Sequence, residues 1–243
     1  MARTKTKTKP QSSRSQSQPS SRSRKPIGHE RRPTGNGSFH LEFKNEAQGL
    51  AWAAFKQHDV LFLTGPAGTG KSFLACAFAI EQILNKERSK IILTRPIVES
   101  GEKLGFLPGD LEEKVNPYMM PMYDCIDKLV GKDNAWRDRI DSCLEVAPLA
   151  YMRGRTFDDA ICIFDEAQNA SMMQLKLFMT RFGENSKVII TGDPSQSDLG
   201  GEVALSNVMH RLHAVDGIGM VQFKAGQIVR HPLIGKIIEK LEG

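Results

Sequence analysis

Along residues 39–243, short apolar runs alternate with longer stretches in which apolar positions return every three or four residues. The first pattern suits strands buried on both faces and the second suits amphipathic helices. Read this way, the chain gives a helix over 45–55, a strand at Val60–Thr64, a helix over 72–85 and a strand at Lys90–Thr94. A strand at Ala160–Phe164 precedes a helix over 171–182 and a strand over 187–191. A helix over 203–213, a strand over 220–223 and a helix over 232–241 complete the series. Short strands separated by helices predict an α/β fold, a parallel sheet flanked by helices. Between about 95 and 159 the alternation lapses. Five prolines (Pro96, Pro108, Pro117, Pro121 and Pro148) fall there, and an irregular, partly helical insertion is expected.

Residues 1–38 follow no such pattern. Ten Lys and Arg stand there against Glu30 alone, a charge of +9, whereas the whole chain carries +5. Residues 39–243 are therefore at −4, and the basic character belongs to the tail. A segment with so little to bury is expected to be disordered. Its charge would draw it to polyanions in a salt-dependent way. It has no aromatic residue, so contact would be with phosphates; a solubilising tail is the plainer alternative. Residues 1–26 have neither an apolar face nor a hydrophobic run, which argues against a targeting peptide. No later stretch is apolar for long enough to span a bilayer, so no membrane partner is expected. Cys76, Cys125, Cys143 and Cys162 are widely spaced and read as buried thiols of a reducing, cytoplasmic compartment. His210 and His213 lie three apart without an obvious third metal ligand.

Between the first strand and the next helix stands Gly65-Pro66-Ala67-Gly68-Thr69-Gly70-Lys71-Ser72, a complete G-x-x-x-x-G-K-S phosphate loop. Glycines let consecutive backbone N–H groups wrap a phosphate, and the helix N-terminus adds partial positive charge. Lys71 is placed to reach the β- and γ-phosphates, and the Ser72 hydroxyl to ligand Mg²⁺. A nucleoside triphosphate is the expected ligand; a glycine-rich turn without one is the bland alternative. The strand at Ala160–Phe164 ends in Asp165-Glu166. In phosphate-loop enzymes an acid here orients the water on Mg²⁺, a role assigned to Asp165, and Glu166 would be the base that activates the attacking water. Alone, two acids after a strand are common at surfaces. The run Asp165-Glu166-Ala167-Gln168 followed by Gly192-Asp193-Pro194-Ser195-Gln196 resembles superfamily-one helicases. In that pattern Gln196 would sense the γ-phosphate or position water, where an ordinary turn is the alternative. Gln48, twelve residues before the first strand, could read the adenine edge or be a solvated helix residue.

The stretches Thr94-Arg95-Pro96-x-x-Glu99, Gly101-Glu102-Lys103-Leu104-Gly105-Phe106-Leu107-Pro108-Gly109-Asp110 and Asn116-Pro117-Tyr118-x-x-Pro121-x-Tyr123-Asp124 are more specific. With D-E-A-Q-N, Thr180-Arg181-x-Gly183, G-D-x-x-Q-x-D-L and the closing Val229-Arg230-His231-Pro232-Leu233, they resemble the PhoH-like ATPase family over about 45–241. The resemblance implies a RecA-like P-loop NTPase fold over 39–243, with ATP and Mg²⁺ as cofactors. It also implies assembly into a homo-oligomeric ring, often a hexamer, and RNA or single-stranded nucleic acid as partner. Gln48 becomes an adenine contact. Arg95 and Arg230 become candidates for the nucleotide phosphates or the ring interface, and Arg181 for reaching a neighbouring subunit's site. An arginine supplied in trans would stabilise charge on the transferring phosphoryl group. Two departures stand out: Gly200 replaces the usual continuation D-L-P, and Ser72 the commoner Thr, which leaves the hydroxyl intact. Neither a nuclease domain nor a second motor domain is evident, so movement along RNA would need an oligomer. The leading expectation is a ring-forming RNA helicase or remodeller. One rival is a nucleotide-dependent switch controlling a partner such as a ribonuclease. The other, a small-molecule kinase, fits the D-E-A-Q and G-D-x-x-Q runs poorly.

Overall fold

Six parallel strands form one sheet in the order β3-β2-β4-β5-β1-β6. They are β1 (Val60–Thr64), β2 (Lys90–Thr94), β3 (Leu144–Val146), β4 (Ala160–Phe164), β5 (Lys187–Gly192) and β6 (Ile218–Gln222). The computed structural model describes residues 39–96, 111–132, 134–196 and 204–229, without the side chains of 111–114. The basic tail, most of 95–110, residues 197–203 and the helix expected over 232–241 lie outside the described residues.

Burial on both faces explains why the strands read as unbroken apolar runs. Leu61, Leu63, Ile91, Leu93, Ile161, Ile163 and Ile189 turn to one face. Phe62, Ile92, Cys162, Phe164, Val188 and Ile190, alternating with them, turn to the other. The period of two is preserved although both sets are apolar. Helices α1 (Glu46–Gln57), α2 (Lys71–Leu84), α3 (Leu111–Val130) and α4 (Ala135–Cys143) cover the first face. Helices α5 (Met172–Met179) and α6 (Ala204–Leu212) cover the second. None of the described helices is long and apolar enough to cross a membrane.

The stretch expected to be irregular contains the longest helix described. α3 keeps its 20 residues despite Pro117 and Pro121 inside it. Both prolines are exposed, whereas Val115, Met119, Met122, Ile126 and Leu129 recur every three or four residues and are buried. The lost backbone donors thus lie on the solvent side, and the apolar stripe holds the helix on α2. α4 is short and polar, with Ile140 its one fully buried residue. Its entry is closed by Asn134, whose side chain accepts from the N–H groups of Trp136 and Arg137. β3 has three half-buried residues and pairs with β2 at the sheet edge. β6 begins two residues earlier than expected, set by its register with β1 from Val60↔Ile218 onward.

Among the thiols, Cys76 and Cys162 are buried and Cys125 and Cys143 half-buried, and all four are free. Cys76 of α2 and Cys125 of α3 hydrogen-bond across the helix interface, which, with burial, holds the Cys76 thiol well above its usual range. Burial pushes the Cys162 thiol up to about 12. These groups pack as small apolar residues. The ring of Phe78 is fully buried in α2, 5.1 Å from Phe55 and 5.0 Å from Trp52. Phe78→Ala is therefore expected to lower stability by about 3–5 kcal/mol, read as a shifted midpoint in denaturant unfolding with an unchanged slope.

Candidate functional site

Because every strand is parallel, the segments that leave β1, β2, β4 and β5 emerge at one edge of the sheet, where open α/β sheets take their ligands. β1 lies beside β5 and β5 beside β4. The phosphate loop, the acidic pair and the Gly192-Asp193 turn therefore meet without any long reach.

The loop backbone requires its glycines. Gly65 has φ 131°, and a Cβ there would lie 2.3 Å from the carbonyl oxygen of Phe223. Gly70, at φ 91°, ends the loop and opens α2 with no side chain capping it. The first N–H groups of α2 are thus left to face the loop. Lys71 Nζ donates to the carbonyls of Gly65 (2.6 Å) and Pro66 (2.9 Å). Thr69, fully buried, donates through Oγ1 to the Pro66 carbonyl (3.0 Å). A second strand of chain holds the loop from outside: Phe223 N–H donates to the Thr64 carbonyl and Val229 N–H to the Gly68 carbonyl. Arg230 itself lies outside the described residues.

Asp165 is 2% exposed and anchors the centre. Its Oδ1 accepts from Ser72 Oγ (2.6 Å) and from Thr191 Oγ1. One carboxylate oxygen thus ties the start of α2 to the ends of β4 and β5. Glu166 adopts a left-handed backbone, φ 55° and ψ 42°, which costs a non-glycine residue about 1–2 kcal/mol. That turn separates the two acids. Glu166 Oε2 accepts from Gln168 Nε2, while Gln168 Oε1 accepts from the Asp193 N–H (3.0 Å). Gly192 leaves room for this bridge, since a Cβ there would stand 2.9 Å from Gln168 Oε1.

Arg95 leaves the end of β2 and reaches both acids. Its Nε is 3.9 Å from Asp165 Oδ2 and its Nη2 3.3 Å from Glu166 Oε1. Its Nη1 donates to the carbonyl of Tyr118, in the turn of α3 between the two prolines (3.0 Å). Gln48 is buried against the loop, its Nε2 3.4 Å from the Thr69 carbonyl. Gln196 is exposed on a turn closed by its own N–H on the Asp193 carbonyl. Arg181 stands apart. It follows α5 at the opposite end of the strands, where its carbonyl accepts from Phe157 N–H before β4 begins. The length of β4, roughly 16 Å, separates it from Asp165, so it serves no phosphate in its own site.

Sequence reasoning gave no role to Gln168 and did not single out Thr191. A hydroxyl on an inward position at a strand end, and an amide two residues after the second acid, were the available signals. The donor set is made of hard oxygens, Ser72 Oγ and the Asp165 carboxylate, and suits Mg²⁺. Among the described residues no cluster of three or more His, Cys, Asp or Glu is arranged to hold a metal. A divalent ion at Ser72 and Asp165 would complete its shell with water and substrate oxygens.

The PhoH family profile, described as PhoH-like protein, matches residues 40–242. The chain is 52% identical over 201 residues to a PhoH-like protein of Bacillus subtilis (strain 168), covering 82% of this chain and 63% of that protein. It is 47% identical over 191 residues to a PhoH-like protein of Synechocystis sp., covering 78% and 58%. Protein PhoH of Escherichia coli (strain K12) is 42% identical over 195 residues, covering 78% and 55%. The chain thus spans less than two thirds of the length of these relatives.

The close approach of the Phe223 carbonyl, with the positive φ, leaves no room for a side chain at Gly65. Gly65→Ala is expected to cost about 2–4 kcal/mol from the combined backbone and overlap penalties, measured by urea unfolding beside a Gly226→Ala control, whose added methyl meets nothing.

Proposed function

This chain belongs to the PhoH-like protein family, an ATPase-type P-loop family, and from that premise we propose that it hydrolyses ATP with Mg²⁺ and couples the reaction to RNA. The observation that carries the reading is the Asp165 knot with Ser72 and Thr191, standing beside a Glu166 that is oriented from two sides. Lys71 would exchange the Gly65 and Pro66 carbonyls for the β- and γ-phosphate oxygens, and the loop N–H groups would hold the remaining charge. Ser72 and Asp165 would hold Mg²⁺, which supplies electrostatic stabilisation of the transferring phosphoryl group. Glu166 would take the proton of the attacking water, with Gln168 fixing its carboxylate at Oε2. Gln196 would respond to the γ-phosphate from the turn after β5.

The RNA-coupled part of the proposal rests on the family and on the +9 tail, whose charge favours phosphate backbones. Assembly into a homo-oligomeric ring, a hexamer in the simplest case, would give Arg181 a neighbour's phosphates to reach; Arg230 is a second candidate for that role. One observation favours the alternative of a slow nucleotide switch acting on a partner such as a ribonuclease. Arg95 engages both Asp165 and Glu166, so its guanidinium stands between the Glu166 carboxylate and an attacking water until Arg95 moves.

Steady-state ATP hydrolysis, with and without single-stranded RNA and beside Glu166→Gln, separates these readings. Glu166→Gln is expected to lower kcat by about 10²–10⁴-fold with nucleotide affinity retained. Stimulation by RNA that vanishes in the variant supports the RNA-coupled reading. Slow hydrolysis indifferent to RNA overturns it in favour of the switch, and transfer of phosphate to an acceptor other than water would revive a kinase.

A further inference from the structure

Gln48 was expected at the adenine, yet both ends of its amide are spent on the protein. Oε1 accepts from Lys44 N–H at 2.8 Å, just ahead of α1, and Nε2 donates to the Thr69 carbonyl at 3.4 Å. The residue is 4% exposed. Its backbone N–H is also taken, by the Oδ1 of Asn45, the cap of α1. To read adenine, an amide must offer its donor to N7 and its acceptor to the N6 amino group from one free edge. Here that edge is turned toward Lys44 and Thr69.

The contact with the loop is also steric. A Cβ built on Gly70 would stand 3.2 Å from Gln48 Nε2, so the amide lies packed on the last turn of the loop. From there the bonding continues inward: Thr69 Oγ1 donates to the Pro66 carbonyl, which also accepts from Lys71 Nζ. A chain of contacts thus runs from the entrance of α1 to the two loop residues that bear most on phosphate, Thr69 and Lys71.

We propose that Gln48 is a positioning residue that braces the phosphate loop from α1, and that it contributes to triphosphate affinity without selecting the base. The proposal rests on the nucleotide-binding reading above and assigns Gln48 a different place in it. Removing a brace loosens the loop for every ligand that carries the triphosphate. Removing a base reader weakens only the nucleotide whose base it reads.

Calorimetric binding of non-hydrolysable ATP and GTP analogues and of inorganic tripolyphosphate, each with Mg²⁺, distinguishes the two roles. Gln48→Met keeps the length of the side chain and removes both hydrogen bonds. It is expected to weaken all three ligands by a common factor of about ten, the scale of one or two lost hydrogen bonds. Gln48→Glu keeps the acceptor for Lys44, removes the donor to Thr69, and decides the matter should Gln48→Met fail to fold; it too is expected to weaken all three together. Loss confined to the ATP analogue, with tripolyphosphate and the GTP analogue unchanged, overturns the brace in favour of a base reader. Unchanged binding of all three in both variants overturns it as well. A wild-type chain that binds none of the three overturns the nucleotide reading itself, an outcome distinct from either.

Discussion

One oxygen of Asp165 holds the site together. It accepts from Ser72 at the first turn of α2 and from Thr191 near the end of β5, while the carboxylate itself follows β4. A buried carboxylate is costly unless its charge is met by donors. Two hydroxyls at Oδ1 and the Arg95 guanidinium near Oδ2 meet it. The same bonds that make burial tolerable fix the distance between the phosphate loop and the acidic pair, so stability and site geometry have one cause.

The remaining features hang on that knot through the sheet. β5 lies between β1 and β4, and its end supplies Thr191 to one face and the Gly192-Asp193 turn to the bridge with Gln168. Glu166 then needs a sharp change of direction to serve a different partner from Asp165, and the left-handed backbone at that residue provides it. A backbone held this way persists where its surroundings over-determine it, here through the contacts of the Glu166 carboxylate with Gln168 and Arg95. Arg95 adds a link outward, since the guanidinium that touches both acids also donates to the Tyr118 carbonyl of α3. Movement of Arg95 toward a phosphate would release both acids and α3 together.

Much of this was legible in the residues. Val60–Thr64 and Ala160–Phe164 announce strands covered on both faces, and G-x-x-x-x-G-K-S between a strand and a helix allows few other readings. What was hidden had physical reasons. Pro117 and Pro121 read as helix breakers because a one-dimensional pattern does not show that both face solvent while Met119, Met122 and Ile126 face α2. α4 is too polar to announce a buried face, and β3 is too short for a period to be seen. Gln48 was read as an adenine contact or a solvated helix residue, and its bonds to the Lys44 N–H and the Thr69 carbonyl follow from the packing of α1 on the loop, which no spacing displays. Thr191 and Gln168 are ordinary residues until the acids they touch are known.

The claim on which the rest depends is that Asp165 and Ser72 form a magnesium-dependent triphosphate site. The most direct measurement is calorimetric binding of a non-hydrolysable ATP analogue with and without Mg²⁺, in the wild-type chain and in Asp165→Asn. Binding that tightens markedly with Mg²⁺ in the wild type, and loses that dependence in Asp165→Asn while the fold is retained, is the predicted result. Binding indifferent to Mg²⁺ in the wild type, or an unchanged dependence in the variant, would contradict it.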